Sequence, residues 1–301
     1  MRIFFVGATG YIGSHAAKRL IEAGHEVTGM ARNQRGRHKL EAIGANVFMG
    51  DAENLEALND QAASADVTIF SAQLPSQDQE YDTVASLLQG YSGTGKTFIF
   101  TSGTGVLGQR TDGAWSEDTF AEDDAFVTSK YVAKRRDTEL MVQAAAKDNV
   151  RAMVVRPPMI WGAGYYGLVD RILHSIDRTG SACYIGAGMN LYTTVHVDDL
   201  AELFHLIVEK GTSGALYHGV SGELNNRTVA ELVARQQGVP ARSVTFGEAI
   251  DIWDKAAALI VLGVSSRSRS PRARKELGWE PTRLDLYDQI LAGALNSRER
   301  S

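Results

Sequence analysis

The fold is decided by the stretch Gly7-Ala8-Thr9-Gly10-Tyr11-Ile12-Gly13, which lies between a hydrophobic run at residues 2–6 and a helical pattern at residues 11–22. The first glycine permits a tight turn, Gly10 lets a phosphate approach the backbone, and Gly13 lets the helix pack on the strand. Backbone N–H groups at the start of that helix can face a pyrophosphate. The order of strand, glycine turn and helix therefore predicts a dinucleotide site.

Short β-rich runs alternate with helical stretches around this loop, as a parallel sheet with crossover helices requires. The six predicted strands are residues 2–6, 26–31, 46–49, 67–71, 97–101 and 151–156, and a long helix is predicted at 128–146. Glycine and aromatic residues replace this pattern beyond residue 160. The sequence thus predicts an α/β fold, a Rossmann-type doubly wound parallel sheet at 1–160 that 193–220 rejoins. A smaller C-terminal substrate lobe is predicted at 161–192 and 221–301.

Composition limits the possible partners and locations. The chain has 36 acidic and 31 basic residues, so its net charge of −5 disfavours nucleic acid, and the basic stretch 267–275 is interpreted as a solvated face. No apolar run is long enough to predict a membrane span. Cys183 is the single cysteine, which excludes an intramolecular disulfide and fits a cytoplasmic location. Because the sequence offers no cluster of ligands at a metal-binding spacing, no metal is expected.

A second phosphate-binding pattern, Gly90-Tyr91-Ser92-Gly93-Thr94-Gly95-Lys96-Thr97, matches a nucleoside-triphosphate loop letter for letter. A working loop of this kind follows a strand and opens a helix. Here the order is reversed, since the pattern follows a predicted helix at 81–89 and opens a β-rich run at 98–100. The match therefore predicts a connection rather than an ATP site.

The end of the second strand indicates which dinucleotide is bound. An acidic residue at this point accepts hydrogen bonds from the ribose 2′-hydroxyl of NAD, but here Ala31 occupies the position and Arg32 follows it. Arg35, Arg37 and His38 add positive charge nearby, which favours NADP(H), although an exposed solubilising loop would carry the same residues. Asp51 is expected to contact the edge of the adenine ring of the cofactor. The predicted cofactor contacts are Gly7, Thr9, Gly10, Tyr11, Ile12, Gly13, Arg32, Asp51, Ala52, Ser71, Ala72, Gln73, Lys130 and Pro157.

Further landmarks occur in order along the chain. They are Gly50-Asp51, Phe100-Thr101-Ser102-Gly103, Arg156-Pro157-Pro158, Val195-His196-Val197-Asp198-Asp199 and Glu276-Leu277-Gly278-Trp279. With the glycine loop, they resemble the extended short-chain dehydrogenase/reductase superfamily, which includes sugar-nucleotide epimerases and dehydratases. The resemblance implies a sheet of six or seven parallel strands, a nicotinamide held between it and a C-terminal lobe, and a possible homodimer.

The catalytic positions of that superfamily hold a Ser or Thr and a Tyr-x-x-x-Lys pair. The resemblance puts Gly103 at the hydroxyl position and Phe126 at the tyrosine position, so the chain resembles an atypical subgroup that keeps only the lysine, Lys130. Lys130 is then expected to bind the nicotinamide ribose. Three replacements for the missing acid are considered: Thr104, Tyr131, and either Tyr165 or Tyr166.

The leading functional hypothesis is an NADP(H)-dependent oxidoreductase that acts on a small carbonyl or unsaturated substrate. The aromatic residues Trp161, Tyr165, Tyr166, Tyr184 and Tyr192 either line an apolar substrate site or fill the core of the lobe. One alternative is a non-catalytic NADP(H)-sensing regulator, which the vacant positions favour. Another is an epimerase or dehydratase without net redox. Sugar nucleotides are disfavoured because Arg171 and Arg178 are the only basic residues noted near the site, and His196 is expected to be a helix-entry residue packed between the domains.

Overall fold

The computed structural model describes residues 1–164 and 167–291, and their largest sheet has seven strands. The strands are β1 (Arg2–Val6), β2 (Glu26–Ala31), β3 (Asn46–Met49), β4 (Val67–Phe70), β5 (Thr97–Thr101), β6 (Gln109–Arg110), β7 (Arg151–Arg156), β8 (Met159–Trp161), β9 (Ala182–Ile185), β10 (Leu191–His196), β11 (Leu216–His218), β12 (Gly222–Asn225), β13 (Ala241–Val244) and β14 (Val264–Ser265). The large sheet has the order β3-β2-β1-β4-β5-β7-β11, and every neighbouring pair is parallel.

The helices cover both faces of this sheet and build the second lobe. They are α1 (Tyr11–Glu22), α2 (Gln34–Ala42), α3 (Leu55–Ser64), α4 (Gln77–Tyr91), α5 (Ala133–Ala144), α6 (Leu168–Thr179), α7 (Val197–Lys210), α8 (Asn226–Gln237), α9 (Phe246–Trp253), α10 (Lys255–Ala257), α11 (Pro271–Leu277) and α12 (Leu286–Leu291). Short 3₁₀ helices lie at Thr104–Leu107 and Ala145–Asp148, and a π-helical turn at Ala258–Leu262 continues α10. No helix within these described residues is long and apolar enough to cross a membrane.

The first strand shows why the sheet is buried on both faces. Ile3 and Phe5 pack into a core with α1 and α7, whereas Phe4 and Val6 pack into a second core with α3 and α4. Successive side chains of a strand point to opposite faces, so a strand covered on both sides must be apolar throughout. The predicted Rossmann-type α/β fold is confirmed.

Two sequence predictions about this domain were wrong. The sheet has a seventh strand, β11, whose three residues pair with β7 and are too few to give a periodic signal. The helix predicted at 128–146 begins only at Ala133, because residues 130–132 form a turn, and it ends in the 3₁₀ helix at Ala145–Asp148. Lys130 and Tyr131 therefore precede α5 instead of lying on it.

The nucleoside-triphosphate pattern lies where its surroundings predicted. It begins in the last turn of α4 and ends at the first residue of β5, so no helix starts at its carboxyl end. Gly93 and Gly95 donate backbone hydrogen bonds to the carbonyls of Asp148 and Asn149. The loop is thus a helix-to-strand connection bound to its neighbour.

The second lobe has its own apolar core, formed mainly by α6, α8 and α9 with strands β9 and β13. Trp161 and Tyr184 pack in this core, and Tyr192 on β10 is also buried. These three aromatic residues therefore fill the protein interior, while Tyr165 and Tyr166 lie outside the described residues. Helix α7 packs instead with α1 through Leu200, Phe204 and Ile207. His196 is its N-cap and accepts a hydrogen bond from the backbone N–H of Asp198.

Candidate active site

The glycine loop has a conformation that only glycine supports at two of its positions. Gly7 has a φ of +97°, and a Cβ built there would lie 2.6 Å from the carbonyl carbon of Ser71. A Cβ on Gly13 would lie 2.1 Å from the carbonyl oxygen of Gly7. Helix α1 starts at Tyr11, and none of the described side chains caps its first turn. The positive end of the α1 dipole therefore lies directly after the glycine turn, where the sequence motif requires it for an anion.

A cavity of about 540 Å³ opens beside this loop, at the carboxyl ends of β1, β2 and β4. Ligands of open α/β sheets bind at this edge, next to the point where the strand order reverses. The predicted cofactor contacts that line it are Gly7, Thr9, Gly10, Ile12, Arg32, Asp51, Ala52, Ser71, Ala72 and Gln73. The fold thus brings together ten of the residues chosen from the sequence.

The other predicted contacts lie elsewhere. Tyr11 donates its hydroxyl hydrogen bond to the carbonyl of Gly162 at 2.7 Å, which ties α1 to the second lobe. Gly13 packs against the loop itself, and the carbonyl of Pro157 accepts a hydrogen bond from the backbone of Thr104. Lys130 is exposed in the turn before α5. These four residues are not part of the described lining of the cavity.

The mouth of the cavity is positively charged where β2 ends. Ala31 is buried, whereas Arg32 is exposed and lines the cavity. Asn33 caps α2 by accepting a hydrogen bond from the N–H of Gly36, so the positive end of that helix lies beside Arg32. Arg37 instead pairs with Glu41 on its own helix, at 2.7 Å. Arg32 is therefore the arginine of this loop best placed for a ligand.

A second cavity, of about 420 Å³, continues from the first. Both cavities are lined by Gln73, Leu74 and Pro75. The remaining lining of the second cavity comprises Ser76, Gln77, Glu80, Gly103, Gly105, Val106, Tyr131, Val132, Arg135 and Ile260. Ile260 lies in the π-helical turn whose residues Ala258 and Leu262 pack in the core of the second lobe, and Gly103 follows β5, so this cavity is the cleft between the two lobes.

Tyr131 and Arg135, four residues apart, are held at this cleft by α4. The side chain of Gln77 donates to the carbonyl of Tyr131 at 2.7 Å and accepts from the backbone N–H of Arg135 at 3.0 Å. The Arg135 guanidinium donates to Glu80 at 2.7 Å. Glu80 is 2% exposed, and its other carboxylate oxygen has no hydrogen-bond partner among the described residues. Burial raises the pKa of Glu80, and the charge of Arg135 opposes that rise.

This geometry favours a different catalytic alignment from the one made from the sequence. Phe126 lies with its ring 5.1 Å from the guanidinium groups of both Arg136 and Arg156, and neither Phe126 nor Lys130 is in the described lining of the cleft. The same spacing of four residues occurs at Tyr131-x-x-x-Arg135, with arginine in place of lysine. The sequence analysis missed Tyr131 and Arg135 as a pair, because it searched for a lysine four residues after the tyrosine position.

The position that holds a Ser or Thr hydroxyl in the superfamily is occupied here by Gly103, which has no side chain. Gly103 lines the cleft, and a Cβ added to it would lie 3.7 Å from the nearest atom, the carbonyl oxygen of Pro157. A small side chain would therefore fit. Thr104, the suggested replacement, is 1% exposed and does not belong to the described lining of the cleft. Its carbonyl accepts a hydrogen bond from Ser266, which places it in the interior.

Behind the cleft lies a buried charged cluster that the sequence did not predict. Arg156 and Glu139 are both fully buried and make two hydrogen bonds, of 2.7 and 2.6 Å. Arg136 also donates to Glu139, and Nε2 of His218 lies 3.2 Å from the Arg156 guanidinium. Burial alone would raise the pKa of Glu139, but the hydrogen bonds and charge of Arg156 lower it overall. The cluster joins α5 to the ends of β7 and β11.

His218 gives this cluster a pH dependence. Burial, followed by the charge of Arg156, lowers the pKa of His218 to about 4. The unfolded chain therefore binds the proton more readily than the folded one, and stability falls as the pH drops below about 6.5. Between pH 7 and pH 5, we expect this histidine to lower the free energy of unfolding by about 2 kcal/mol. Urea unfolding of wild type and His218→Gln at both pH values measures it; equal pH dependence in the two proteins would contradict the assignment.

The comparisons with known proteins are consistent with this architecture. Residues 3–219 match the model of the NAD dependent epimerase/dehydratase family. The chain belongs to this family. Its solved structural neighbours include a dTDP-glucose 4,6-dehydratase from Bacillus anthracis in complex with NAD, with a TM-score of 0.77, 17% identity, and coverage of 100% of this chain and 97% of that one. A UDP-glucuronic acid 4-epimerase from Bacillus cereus also has a TM-score of 0.77, at 16% identity and full coverage of both chains. At these identities the likeness shows the fold.

Curated relatives are closer in sequence. An uncharacterized protein of Schizosaccharomyces pombe is 30% identical over 98% of this chain and 99% of its own length. A 4-hydroxy-2-methyl-3-oxo-4-farnesyl-3,4-dihydroquinoline-1-oxide ketoreductase of Stigmatella aurantiaca is 26% identical over 80% of this chain and 75% of its own. A 2-alkyl-3-oxoalkanoate reductase of Stenotrophomonas maltophilia is 25% identical over 75% of this chain and 71% of its own. Family membership and these reductase relatives support an enzyme that uses a nicotinamide cofactor.

Proposed function

We propose that this protein is an NADP(H)-dependent reductase of small, predominantly apolar carbonyl compounds. The observation that carries the proposal is the continuity of the two cavities: the cleft lined by Tyr131 and Arg135 shares Gln73, Leu74 and Pro75 with the cavity at the glycine loop. A substrate in the cleft would therefore lie next to a dinucleotide in the first cavity.

The described residues fit the cofactor. The amino end of α1 would hold the pyrophosphate, because Gly10 and Ile12 line the cavity at the start of this helix. Arg32 would pair with a 2′-phosphate, and Ala31 offers no carboxylate to repel that phosphate. Bound NADPH supplies a hydride. The protein's own task is then to orient the substrate and deliver a proton.

Tyr131 is the proposed proton donor. Its side chain lines the cleft, and its hydroxyl would give its proton to the substrate oxygen as the carbonyl becomes an alcohol. Arg135 lies on the same cleft and carries a permanent positive charge, which would stabilise the tyrosinate that remains. Solvent would then return a proton to Tyr131. Gly103 supplies no hydroxyl, and the Glu80 carboxylate of this lining is paired with Arg135, which leaves the Tyr131 hydroxyl as the proposed proton donor.

The lining of the cleft indicates the substrate class. Leu74, Val106, Val132 and Ile260 give it an apolar surface. Arg135 and Glu80 form a pair with no net charge, so the cleft offers little attraction to a highly charged substrate. A ketone with alkyl or ring substituents fits this surface best. The names of the two reductase relatives, both of which act on oxo compounds, support this class.

The test measures turnover of NADPH with a panel of aliphatic ketones, aromatic ketones and 3-oxoacids. Turnover is monitored as the loss of absorbance of the reduced cofactor. We expect reduction of at least one apolar class and weaker activity with NADH. Tight NADPH binding without turnover across the panel would favour the second candidate, a non-catalytic NADP(H) sensor, which the missing hydroxyl at Gly103 supports. Absence of NADPH binding would exclude both.

A sugar-nucleotide epimerase or dehydratase is a third candidate, which one observation favours. Arg267, Arg269 and Arg274 line a separate cavity of about 410 Å³, and all three belong to the basic stretch that the sequence analysis interpreted as a solvated face. Arg267 pairs with Glu223 at 3.0 Å, however, and Arg269 pairs with Asp124 at 3.1 Å. These carboxylates compete with a diphosphate. Conversion of UDP-glucose or dTDP-glucose with no change in reduced cofactor would establish this candidate.

Cofactor preference depends on Arg32. We expect Arg32→Ala to weaken NADPH binding by about 10- to 100-fold, the usual effect of losing a charged hydrogen-bond partner, and to leave NADH binding unchanged. Fluorescence titration with each cofactor measures both. Arg35→Ala is the matched control, because Arg35 is exposed on the same segment but absent from the described lining of the cavity. Equal weakening of NADPH and NADH in Arg32→Ala would contradict NADP selectivity.

A further inference from the structure

We propose that His25, His205 and Glu209 form a binding site for a divalent transition-metal ion, with Zn²⁺ as the favoured ion. His25 lies in the turn between α1 and β2, at the amino end of the strand. The cofactor cavity lies at the carboxyl ends of the parallel strands, so the metal site is at the opposite edge of the sheet. This site is independent of the proposed reductase activity.

The fold brings the three ligands together from distant parts of the chain. His205 and Glu209 are four residues apart on α7 and therefore lie on the same face of the helix. One ring nitrogen of each histidine and one carboxylate oxygen of Glu209 all lie within 4.8 Å of one another. Nε2 of His25 is 3.1 Å from Oε1 of Glu209. Small side-chain rotations would bring these atoms to the distances of about 2.0–2.2 Å that zinc requires.

The state of His25 is the second observation that points to a ligand. Its side chain is 7% exposed, and the 3.1 Å contact of Nε2 with Oε1 of Glu209 lacks the geometry of a hydrogen bond, so Nε2 has no hydrogen-bond partner within 1–164 or 167–291. Buried polar atoms are normally hydrogen-bonded, so an unsatisfied ring nitrogen calls for a partner.

A neighbouring carboxylate is placed to orient the second histidine. Oε1 of Glu202 lies 3.3 Å from Nδ1 of His205. Arg19 also contacts Nδ1 of His205, at 2.9 Å, but it pairs with Glu202 as well. A guanidinium can only donate, so the contact of Arg19 with this nitrogen makes Nδ1 an acceptor in the structure. A metal at Nε2 requires the other tautomer, in which Nδ1 donates to Glu202, as in most histidine-liganded sites. The carboxylates of Glu202 and Glu209 offset the charge of Arg19.

The ligand set selects the ion. Two imidazoles and one carboxylate suit Zn²⁺, whereas Ca²⁺ and Mg²⁺ prefer all-oxygen sites. Water would complete a tetrahedral set. Because the site joins the α1–β2 turn to α7, a bound ion would crosslink two elements of the dinucleotide-binding domain. We therefore expect Zn²⁺ to stabilise the folded protein.

The experiment titrates Zn²⁺ and Co²⁺ into tag-free protein, with calorimetry for Zn²⁺ and visible absorption for Co²⁺. We expect one Zn²⁺ per chain, a rise in Tm on its addition, and a Co²⁺ spectrum typical of tetrahedral coordination. His205→Ala and Glu209→Gln should each weaken binding at least about tenfold. His38→Ala removes an exposed histidine on α2 and is the matched control.

Two results would overturn the proposal. One is the absence of stoichiometric Zn²⁺ binding in wild type, and the other is equal affinity in His205→Ala, Glu209→Gln and the control. His205 and Glu209 are not fully buried, so their variants are expected to fold even if a His25 variant does not. NADPH affinity measured in the same variants should stay at the wild-type value, which separates this site from the cofactor cavity.

Discussion

Replacing Tyr131 with phenylalanine is expected to lower kcat for ketone reduction by about 10²- to 10⁴-fold, the usual contribution of a general acid. The change removes one oxygen atom from a side chain that is 41% exposed, so folding should be unaffected. NADPH binding should also be unchanged, because Tyr131 lines the cleft and is absent from the described lining of the cofactor cavity. Steady-state kinetics and a cofactor titration on the same preparation separate the two effects.

Two control variants distinguish this assignment from the alignment made on sequence alone. Lys130→Ala removes an ammonium group that lies 5.4 Å from the centre of the Tyr131 ring but outside the described lining of the cleft, so it should lower activity less than Tyr131→Phe does. Phe126→Tyr should not increase activity, because the ring lies 5.1 Å from the guanidinium groups of both Arg136 and Arg156 and outside the described lining of the cleft. If Lys130→Ala abolished turnover while Tyr131→Phe did not, the result would contradict Tyr131 as the proton donor and would support the alignment on Phe126 and Lys130.

Arg135 adds a second readout of the same site. Arg135→Lys keeps a positive charge but loses the planar group that pairs with Glu80, whereas Arg135→Met loses the charge. If the charge of Arg135 stabilises the tyrosinate, the ketone reductase activity of the methionine variant should persist to higher pH than that of the lysine variant, because a general acid acts while it is protonated. A structural role alone would change the two variants' stability without separating their pH profiles.

The dinucleotide loop was predictable from the sequence because every feature of it is local. Gly7, Gly10 and Gly13 lie within seven residues, and the strand and helix that flank them are long enough to show their periods. The confirmed sheet followed from the same alternation. The seventh strand could not be predicted in this way, since the pairing of β11 with β7 depends on tertiary contact rather than on three residues of pattern.

The cleft was harder to predict because its residues come from separate segments. Tyr131 is positioned by Gln77, which lies on α4, and Arg135 by Glu80 on the same helix. A local motif with lysine suggested Phe126 and Lys130, but the two residues with the same spacing that line the cleft, Tyr131 and Arg135, lie five positions later in the chain. The polar residues of α4 that line the cleft, Gln77 and Glu80, form no recognisable sequence motif. Only the packing of α4 beside α5 brings these groups to the substrate side.

The largest effect on stability is expected in the buried cluster behind the cleft. Glu139→Leu would leave Arg156 fully buried without its carboxylate, and breaking a buried pair from one side costs about 3–5 kcal/mol. Urea unfolding monitored by fluorescence measures the loss. The double variant Glu139→Leu, Arg156→Met removes both charges and should recover much of it, because the cost comes from the unpaired cation rather than from the lost attraction.

Glu231→Ala is the matched control for this experiment. Glu231 pairs with Arg227 four residues earlier on α8, at 2.7 Å, but both side chains are half exposed. Water solvates either partner when the other is removed, so the control should change stability little. A loss in Glu139→Leu no larger than in the control would mean that solvent reaches Arg156. A double variant less stable than Glu139→Leu would mean that Arg156 has other strong partners, of which His218 and the ring of Phe126 are the nearest.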